Sequence, residues 1–499
     1  VDGFWIDDVS IGIYNKSDIL ELVLLPLYFG LVAFIVSPKF GRYFILAASL
    51  TSLGAGLARL FSYQPDTYQT LFSLSKANAL GFSMEIGYDG LSLVMVGLSN
   101  LVFFLVALAN LSKEESRSSL FNGLFLLMQF GLNGLFLAQD GLLFYVFWEL
   151  ALIPIFLILY WFGANDSQKT WFKFFLYTLF GSLGMLFSLI ALTQFGFVSF
   201  AYGHLLQVVI PAQYACWIMS GFLLAFAIKI PIFPFHSWQA NTYDAAPMAG
   251  TMLLSAIMLK MALFGLIKWM IPLNPGGLSF WQLPIIFLGV VGILYGALIA
   301  TRENNIKKVF AFASLSHLGL IVAGIMIFTQ ESLTASVVQM LNHSLIAIGL
   351  FLAANRLEVG FGSKELSTMG GIAKLAPTFG VWFGIITLIA LSVPLTAGFL
   401  GEFLLIKSVF QFNLWLGVLS SLTLVLGAVY MLRSYQMSMM GAPAIGTFED
   451  LPVNEIIVYF IITALTLFIG LFPEFLIQII KPSIEQIILH TQNPALTIR

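Results

Sequence analysis

Apolar residues fill this chain in long blocks, and polar residues gather in the short breaks between them. A helix needs about 20 apolar residues to cross the hydrocarbon of a bilayer. By that measure the pattern predicts fourteen spans, near 19–37, 43–62, 89–111, 119–138, 141–163, 171–195, 213–230, 247–271, 281–300, 306–328, 334–355, 378–400, 413–438 and 453–480. Most connections are short; the longer ones lie near 63–88 and 439–452. Uninterrupted apolar runs exclude an outer-membrane barrel, whose strands alternate in polarity over about ten residues. The expected fold class is therefore all-α, a polytopic membrane protein.

Two blocks are interrupted. The seventh holds Lys229-Ile230-Pro231-Ile232-Phe233-Pro234-Phe235-His236, and the twelfth holds Pro394, Gly398, Gly401 and Glu402. Proline removes a backbone donor and clashes with the preceding turn. Freed backbone at membrane depth is tolerated only inside protein or beside water. The interruptions lie five spans apart, and an odd shift inverts topology. Paired broken helices in inverted halves point to an ion site. The same shift pairs the fifth span, carrying Glu149, with the tenth, carrying His317. The predicted units are 1–115 (spans 1–3), 116–272 and 273–440 (two inverted five-helix repeats) and 441–499 (span 14).

Composition narrows the class further. The 499 residues are 59% hydrophobic and 9% charged, against roughly 25% charged in soluble domains. A net charge of −2 makes nucleic acid an unexpected partner. The single Cys216 excludes an internal disulfide and cannot by itself hold an iron–sulfur cluster or a structural zinc. No Gly-rich phosphate loop stands beside a strand–helix unit. The sequence begins at Val1 rather than Met, so a few leading residues are expected before it. Its acidic start (Asp2, Asp7, Asp8) does not read as a signal peptide.

Lys and Arg set orientation. The odd connections and adjoining helix ends hold Lys39, Arg42, Lys113, Arg117, Lys169, Lys173, Arg302, Lys307, Lys308, Arg356, Lys364, Lys374 and Arg433. The other side holds mainly Lys16, Lys76, Lys268, Lys481 and Arg499. The odd connections are thus expected in the cytoplasm and both termini on the outer side of an inner (cytoplasmic) membrane. Arg59 and Lys268, near span ends, are expected to snorkel to the interface.

Against this background six ionisable residues stand inside spans: Glu149, Lys229, Lys260, His317, His343 and Glu402. A charge at a helix centre costs about 2.5–3.5 kcal/mol even on the lenient insertion scale. A buried amine loses affinity for its proton and a nearby carboxylate restores it, so a Glu–Lys pair is tunable. Histidine titrates near physiological pH. The set reads as a proton route: Glu149 and Lys229 as a switch, Lys260 as receiver, His317 and His343 as relays, Glu402 as the last group, with water filling the gaps because the side chains are not expected to touch. Taken singly, each also suits a structural role: a Glu–Lys pair joins two helices, and a lone histidine is commonly a satisfied core residue. His236 suits capping or bridging of the broken seventh helix, and His204 and His490 read as residues in or near loops. The histidines lack i, i+3 or i, i+4 spacing, which disfavours a metal site.

Phe147-Trp148-Glu149-Leu150, Lys229 through Trp238, Met258-Leu259-Lys260, Ser314-Leu315-Ser316-His317-Leu318-Gly319 and Gly398-Phe399-Leu400-Gly401-Glu402-Phe403 resemble the antiporter-like membrane subunits of respiratory complex I, across about 85–440. Within that family Glu402 resembles the chain M branch. Chain N and the Mrp-type antiporter subunit usually carry Lys there, and chain L adds a long lateral helix not expected here. The resemblance implies a subunit of proton-pumping NADH–quinone oxidoreductase. It implies Glu149, Lys229, Lys260 and Glu402 as the pumping axis, with His317 and His343 between the halves. It places NADH, FMN, iron–sulfur clusters and quinone in partner subunits and none in this chain, and implies chains L and N and lipids as neighbours. One departure follows Trp238: many relatives read Leu-Pro-Asp-Ala-His, and here the loop is Gln239-Ala240-Asn241-Thr242-Tyr243-Asp244. A role for that Asp and His is not carried over, and Asp244 is the candidate substitute. The rival readings are an Mrp-type Na⁺/H⁺ antiporter or membrane-bound hydrogenase subunit, and a non-conducting structural subunit.

Overall fold

The computed structural model describes residues 17–64, 72–73, 81–164, 167–196 and 199–492. Lys16, Lys76, Arg499 and the acidic start lie outside them. The first six helices are α1 (Ser17–Ala33), α2 (Pro38–Ser62), α3 (Gly90–Ala109), α4 (Ser119–Leu137), α5 (Gly141–Phe162) and α6 (Gln168–Leu192). The seventh span is α7 (Ala212–Lys229), an irregular stretch and the short α8 (Gln239–Ala245). Then come α9 (Met248–Leu273), α10 (Pro275–Arg302), α11 (Ile306–Ile327) and α12 (Gln330–Phe361). The twelfth span is α13 (Pro377–Ala390) and α14 (Ala397–Phe412), followed by α15 (Leu414–Met439), α16 (Val453–Leu471) and α17 (Pro473–Gln492). Twelve of these helices are long and apolar enough to cross a membrane alone. The shorter α1 and the two-piece twelfth span bring the crossings to the expected fourteen.

Short side chains start the helices. Asp89, Ser118, Asp140, Asn274, Asn305, Thr396 and Asn413 each accept a hydrogen bond from a first-turn backbone N–H, satisfying donors that a helix start leaves free. Thr329 and Ser332 form a reciprocal capping box at α12. Both interruptions are present, and local side chains absorb the freed groups. Trp238 Nε1 donates to the Ile228 carbonyl at 2.8 Å, and Thr396 Oγ1 donates to the Val393 carbonyl at 2.7 Å. His236 bridges within the break: it hydrogen-bonds the Pro234 backbone, and its ring stacks on Phe233 and meets Tyr295 edge-on. The seventh span starts from the even-connection end and the twelfth from the odd-connection end, so the two breaks are related by inverted topology.

The core is not spread evenly. α9 is wholly buried, and α11 and α12 are nearly so. Two wide π turns, Leu254–Met258 and Leu266–Met270, interrupt α9 on either side of Lys260; such bulges are frequent at functional sites.

Three expectations need correction. The block at 453–480 is two helices, divided where Pro473 starts a new one. The second, α17, buries the stripe Leu476, Ile479, Ile480, Ser483, Ile484, Ile487 and His490, so the unit 441–499 is more than span 14 and His490 is helical rather than a loop residue. α17 lies against the starts of α3 and α12: the Leu91 N–H donates to Ser483 Oγ at 3.3 Å, and Gln330 Nε2 to Glu485 at 2.9 Å. Lys268 does not snorkel. It is 3% exposed and pairs with Asp89 at 2.7 Å.

Candidate functional site

The structure places the six predicted residues on α5, α7, α9, α11, α12 and α14. It joins four of them into a nearly continuous line. Lys260 is fully buried on α9. Its Nζ donates to the Ser255 carbonyl at 2.9 Å, an acceptor offered by the first π turn, and lies 2.7 Å from His343 Nδ1. The other ring nitrogen of His343, Nε2, is 2.8 Å from Ser314 Oγ. The His343 and His317 rings are 6.3 Å apart. His317 Nδ1 lies 2.8 Å from Glu402 Oε1. Gln339 Nε2 also donates to that oxygen, at 3.1 Å. The expectation that these side chains would not touch is therefore wrong for Lys260 with His343 and for His317 with Glu402.

The first pair is different. Glu149 is half-buried on α5, with Ser182 and Tyr145 beside its carboxylate. Lys229 is 1% exposed at the last residue of α7 before the break. Its Nζ has no hydrogen-bond partner and sits 5.5 Å from the centre of the Phe174 ring. No ion pair joins Lys229 to Glu149 among the described residues. The pair is close enough to interact through space but is held apart, with α6 supplying both Phe174 and Ser182.

A cavity runs beside the second half of the line, with Ser314, His317, Gln339, Asn342 and His343 in its wall. About 30 Å³ of it is free for water centres, room for roughly two waters at about 10–15 Å³ each. Both polar atoms of Asn342 and Gln339 Oε1 are buried without a hydrogen-bond partner. Buried polar atoms in native proteins are almost always bonded to protein or ordered water, so this wall is built for water.

Sequence reading missed Ser255, Ser314, Gln339, Asn342 and Phe174. A usable signal existed for some. Gln339, Asn342 and His343, like Ser314 and His317, stand at helical spacing and form polar stripes on otherwise apolar helices.

At the odd-connection end, Asp244 is at the centre of an ion-pair network. Lys364 Nζ is 2.9 Å from the Asp244 carboxylate and 3.5 Å from Glu358, Lys307 is 2.6 Å from Glu358, and Asn305 donates to Asp244 at 3.0 Å. At the other end, Lys268 Nζ also donates to Ser92 Oγ at 3.0 Å, and Tyr202 donates to the Lys268 carbonyl at 2.8 Å.

A helical membrane bundle with two broken spans and a line of amine, imidazole and carboxylate groups through its interior is a well-defined class of protein. Residues 138–431 match the family described as NADH:quinone oxidoreductase/Mrp antiporter, TM, and the chain belongs to that family. It is 30% identical to NADH-quinone oxidoreductase subunit M of Rickettsia prowazekii, over 94% of this chain and 97% of the relative. It is 32% identical to F(420)H(2) dehydrogenase subunit M of Methanosarcina mazei, with the same two shares covered. A chain of respiratory complex I from Thermus thermophilus superimposes with a TM-score of 0.88 at 30% identity, over 94% of this chain and 99% of that one. A chain of the Mrp complex from Dietzia sp. DQ12-45-1b, at 18% identity, shares the fold with a TM-score of 0.84 over 97% and 98%.

Proposed function

We propose that this chain is a proton-translocating membrane subunit of a complex I-type NADH–quinone oxidoreductase. The observation that carries the reading is the line Lys260–His343–His317–Glu402, with contacts of 2.7 and 2.8 Å at its ends and a cavity with polar side chains in its wall at its middle. Every group on it can hold and release a proton. Lys229 and Glu149 supply the switch: held apart, as here, they leave the amine without a direct ion pair, and drawn together they hold a charge. The two halves of the axis fall in the repeats 116–272 and 273–440, with 1–115 and 441–499 packed around them.

The energy comes from other subunits, because moving one proton against about 150 mV costs roughly 3.5 kcal/mol. NADH, FMN, the iron–sulfur clusters and quinone belong to those partners, and this chain performs no redox step. Neighbouring antiporter-like chains, L and N in complex I terms, flank it in an inner (cytoplasmic) membrane, the basic odd connections facing the cytoplasm and both termini outward. The identity with an F(420)H(2) dehydrogenase subunit supports a second reading, in which the same module serves a different electron donor.

Purification of the native complex identifies the partners, and NADH-oxidising and quinone-reducing chains are expected. In the reconstituted complex Lys229→Ala should lower the proton-to-electron ratio by this module's share while assembly persists. Lys229→Arg should be nearly as harmful, since guanidinium does not release its proton at working pH. Normal pumping by the Arg variant would overturn the role of Lys229.

A further inference from the structure

Lys260 stands on a short α-helical stretch of α9, Leu259–Gly265, that is buried throughout and has a π turn at each end, Leu254–Met258 and Leu266–Met270. A π turn closes over five residues rather than four, so it stores one residue of slack. Releasing that residue turns a helix by about 100° and moves it about 1.5 Å along its axis. Either displacement breaks the 2.7 Å contact between Lys260 Nζ and His343 Nδ1. The register of α9 therefore has to be fixed from outside.

Each π turn is fastened by a side chain from another element. At the first, Ser344 Oγ on α12 donates to the Ala256 carbonyl at 2.6 Å. At the second, the Tyr202 hydroxyl, in the connection before α7, donates to the Lys268 carbonyl at 2.8 Å. The second turn is held by its own side chain as well. Lys268 Nζ donates to Asp89 Oδ2 at 2.7 Å and to Ser92 Oγ at 3.0 Å, both at the start of α3. Asp89 Oδ1 accepts from the Ser92 N–H at 2.8 Å, so the carboxylate is already oriented when the lysine meets it. The ammonium also lies 5.8 and 5.9 Å from the centres of the Tyr202 and Phe264 rings.

Stability does not account for this pair. A lysine near a span end can reach water along its own stem, yet Lys268 is 3% exposed. Buried ion pairs are commonly no more stabilising than apolar residues of the same volume, and their best-attested use is to fix register.

Building on the translocation reading, we propose that Lys268 and Asp89 are positioning residues for proton transfer: with Ser92 and Tyr202 they lock the second π turn of α9 and so hold Lys260 on His343. Lys268 moves no proton itself. It acts through the register of the stretch 259–265. Without the latch the second turn relaxes towards α-helical register and the stretch carries Lys260 away from His343. Electron transfer in the partner subunits continues while this module passes no proton.

The test is made in the reconstituted intact complex, with the proton-to-electron ratio read beside NADH oxidation. Lys268→Met keeps the apolar stem and removes the charge. It should lose most of what Lys260→Ala loses in the ratio, with NADH oxidation at the parental rate. Asp89→Asn keeps the cap of α3, since asparagine caps as well as aspartate, and should lose the ratio to the same extent. Lys268→Arg still donates to Asp89 and Ser92 and should keep the parental ratio, whereas a role in filling space would favour Met over Arg. Adding Lys268→Met to Lys260→Ala should lower the ratio no further, because residues that act through one another are not additive. If a single change prevents assembly, Asp89→Asn with Lys268→Met removes both buried charges together, and Tyr202→Phe loosens the same turn through its carbonyl. Each of these should lower the ratio in the same direction. A parental ratio in the Met, Asn and Phe variants overturns the latch. So does equal loss in the Arg and Met variants, or a further drop when Lys268→Met joins Lys260→Ala. If Lys260→Ala itself pumps at the parental ratio, the translocation reading falls and takes the latch with it; a loss in Lys260→Ala alone overturns only the latch.

Discussion

His343→Gln is the sharpest perturbation of the buried line. Lys260 Nζ and His343 Nδ1 are 2.7 Å apart with no carboxylate in contact. Two positive charges at that separation repel by about 6 kcal/mol at an effective dielectric constant of 20. The pair therefore carries one proton between them, not two. With the proton on Lys260, the amine donates to Nδ1, and His343 presents Nε2–H to Ser314 Oγ. With the proton on His343, the roles across the 2.7 Å contact reverse. Glutamine keeps both hydrogen bonds, its oxygen accepting from Lys260 and its amide donating to Ser314, but it cannot take the proton onward. Assembly and thermal stability should match the parent, while the proton-to-electron ratio drops by the share of one module. His343→Ala removes the acceptor and leaves a buried donor short of a partner, at about 1–3 kcal/mol, so it should lose stability as well as pumping. The assay is NADH oxidation with simultaneous proton uptake in vesicles, with thermal melting alongside. A His343→Gln complex that pumps at the parental ratio would refute the relay.

Three further outcomes follow from the same coordinates. Glu402→Lys should keep more pumping than Glu402→Ala, because the unpartnered Gln339 Oε1 is there to accept from an amine; equal ratios would make Glu402 a packing residue. Asp450, in the loop before α16, accepts from the N–H groups of Thr378 and Phe379 at 3.1 and 2.8 Å. Burial raises its affinity for a proton, but the Leu451, Thr378 and Phe379 hydrogen bonds outweigh it and hold the carboxyl below its ordinary range. Its stabilisation of the α13 start is then complete above the ordinary carboxylate range and is lost only as pH falls through the lower folded value. Asp450→Ala should cost about 1 kcal/mol, seen as faster amide exchange at 378–380, equally at pH 6 and pH 8. Gly90→Ala should loosen α17, since a Cβ at Gly90 runs into the Ile479 carbonyl. Overpacking of this kind costs about 1–3 kcal/mol, and an unchanged melting temperature would show that α17 yields freely.

The sequence by itself determined the number of crossings, both broken spans and the inverted spacing between them. These are local properties: hydropathy, proline and the cost of a buried charge are each written in a window of about twenty residues. It did not determine which charges meet. Lys260 and His343 are 83 positions apart in sequence, and their contact depends on how α9 and α12 pack and on a π turn that frees the Ser255 carbonyl. Nor did it place Lys268. A lysine near a span end reads as snorkelling until Asp89, 179 positions away, is found within 2.7 Å. The division at Pro473 was visible in the letters, but only the fold shows the second helix lying on the starts of α3 and α12.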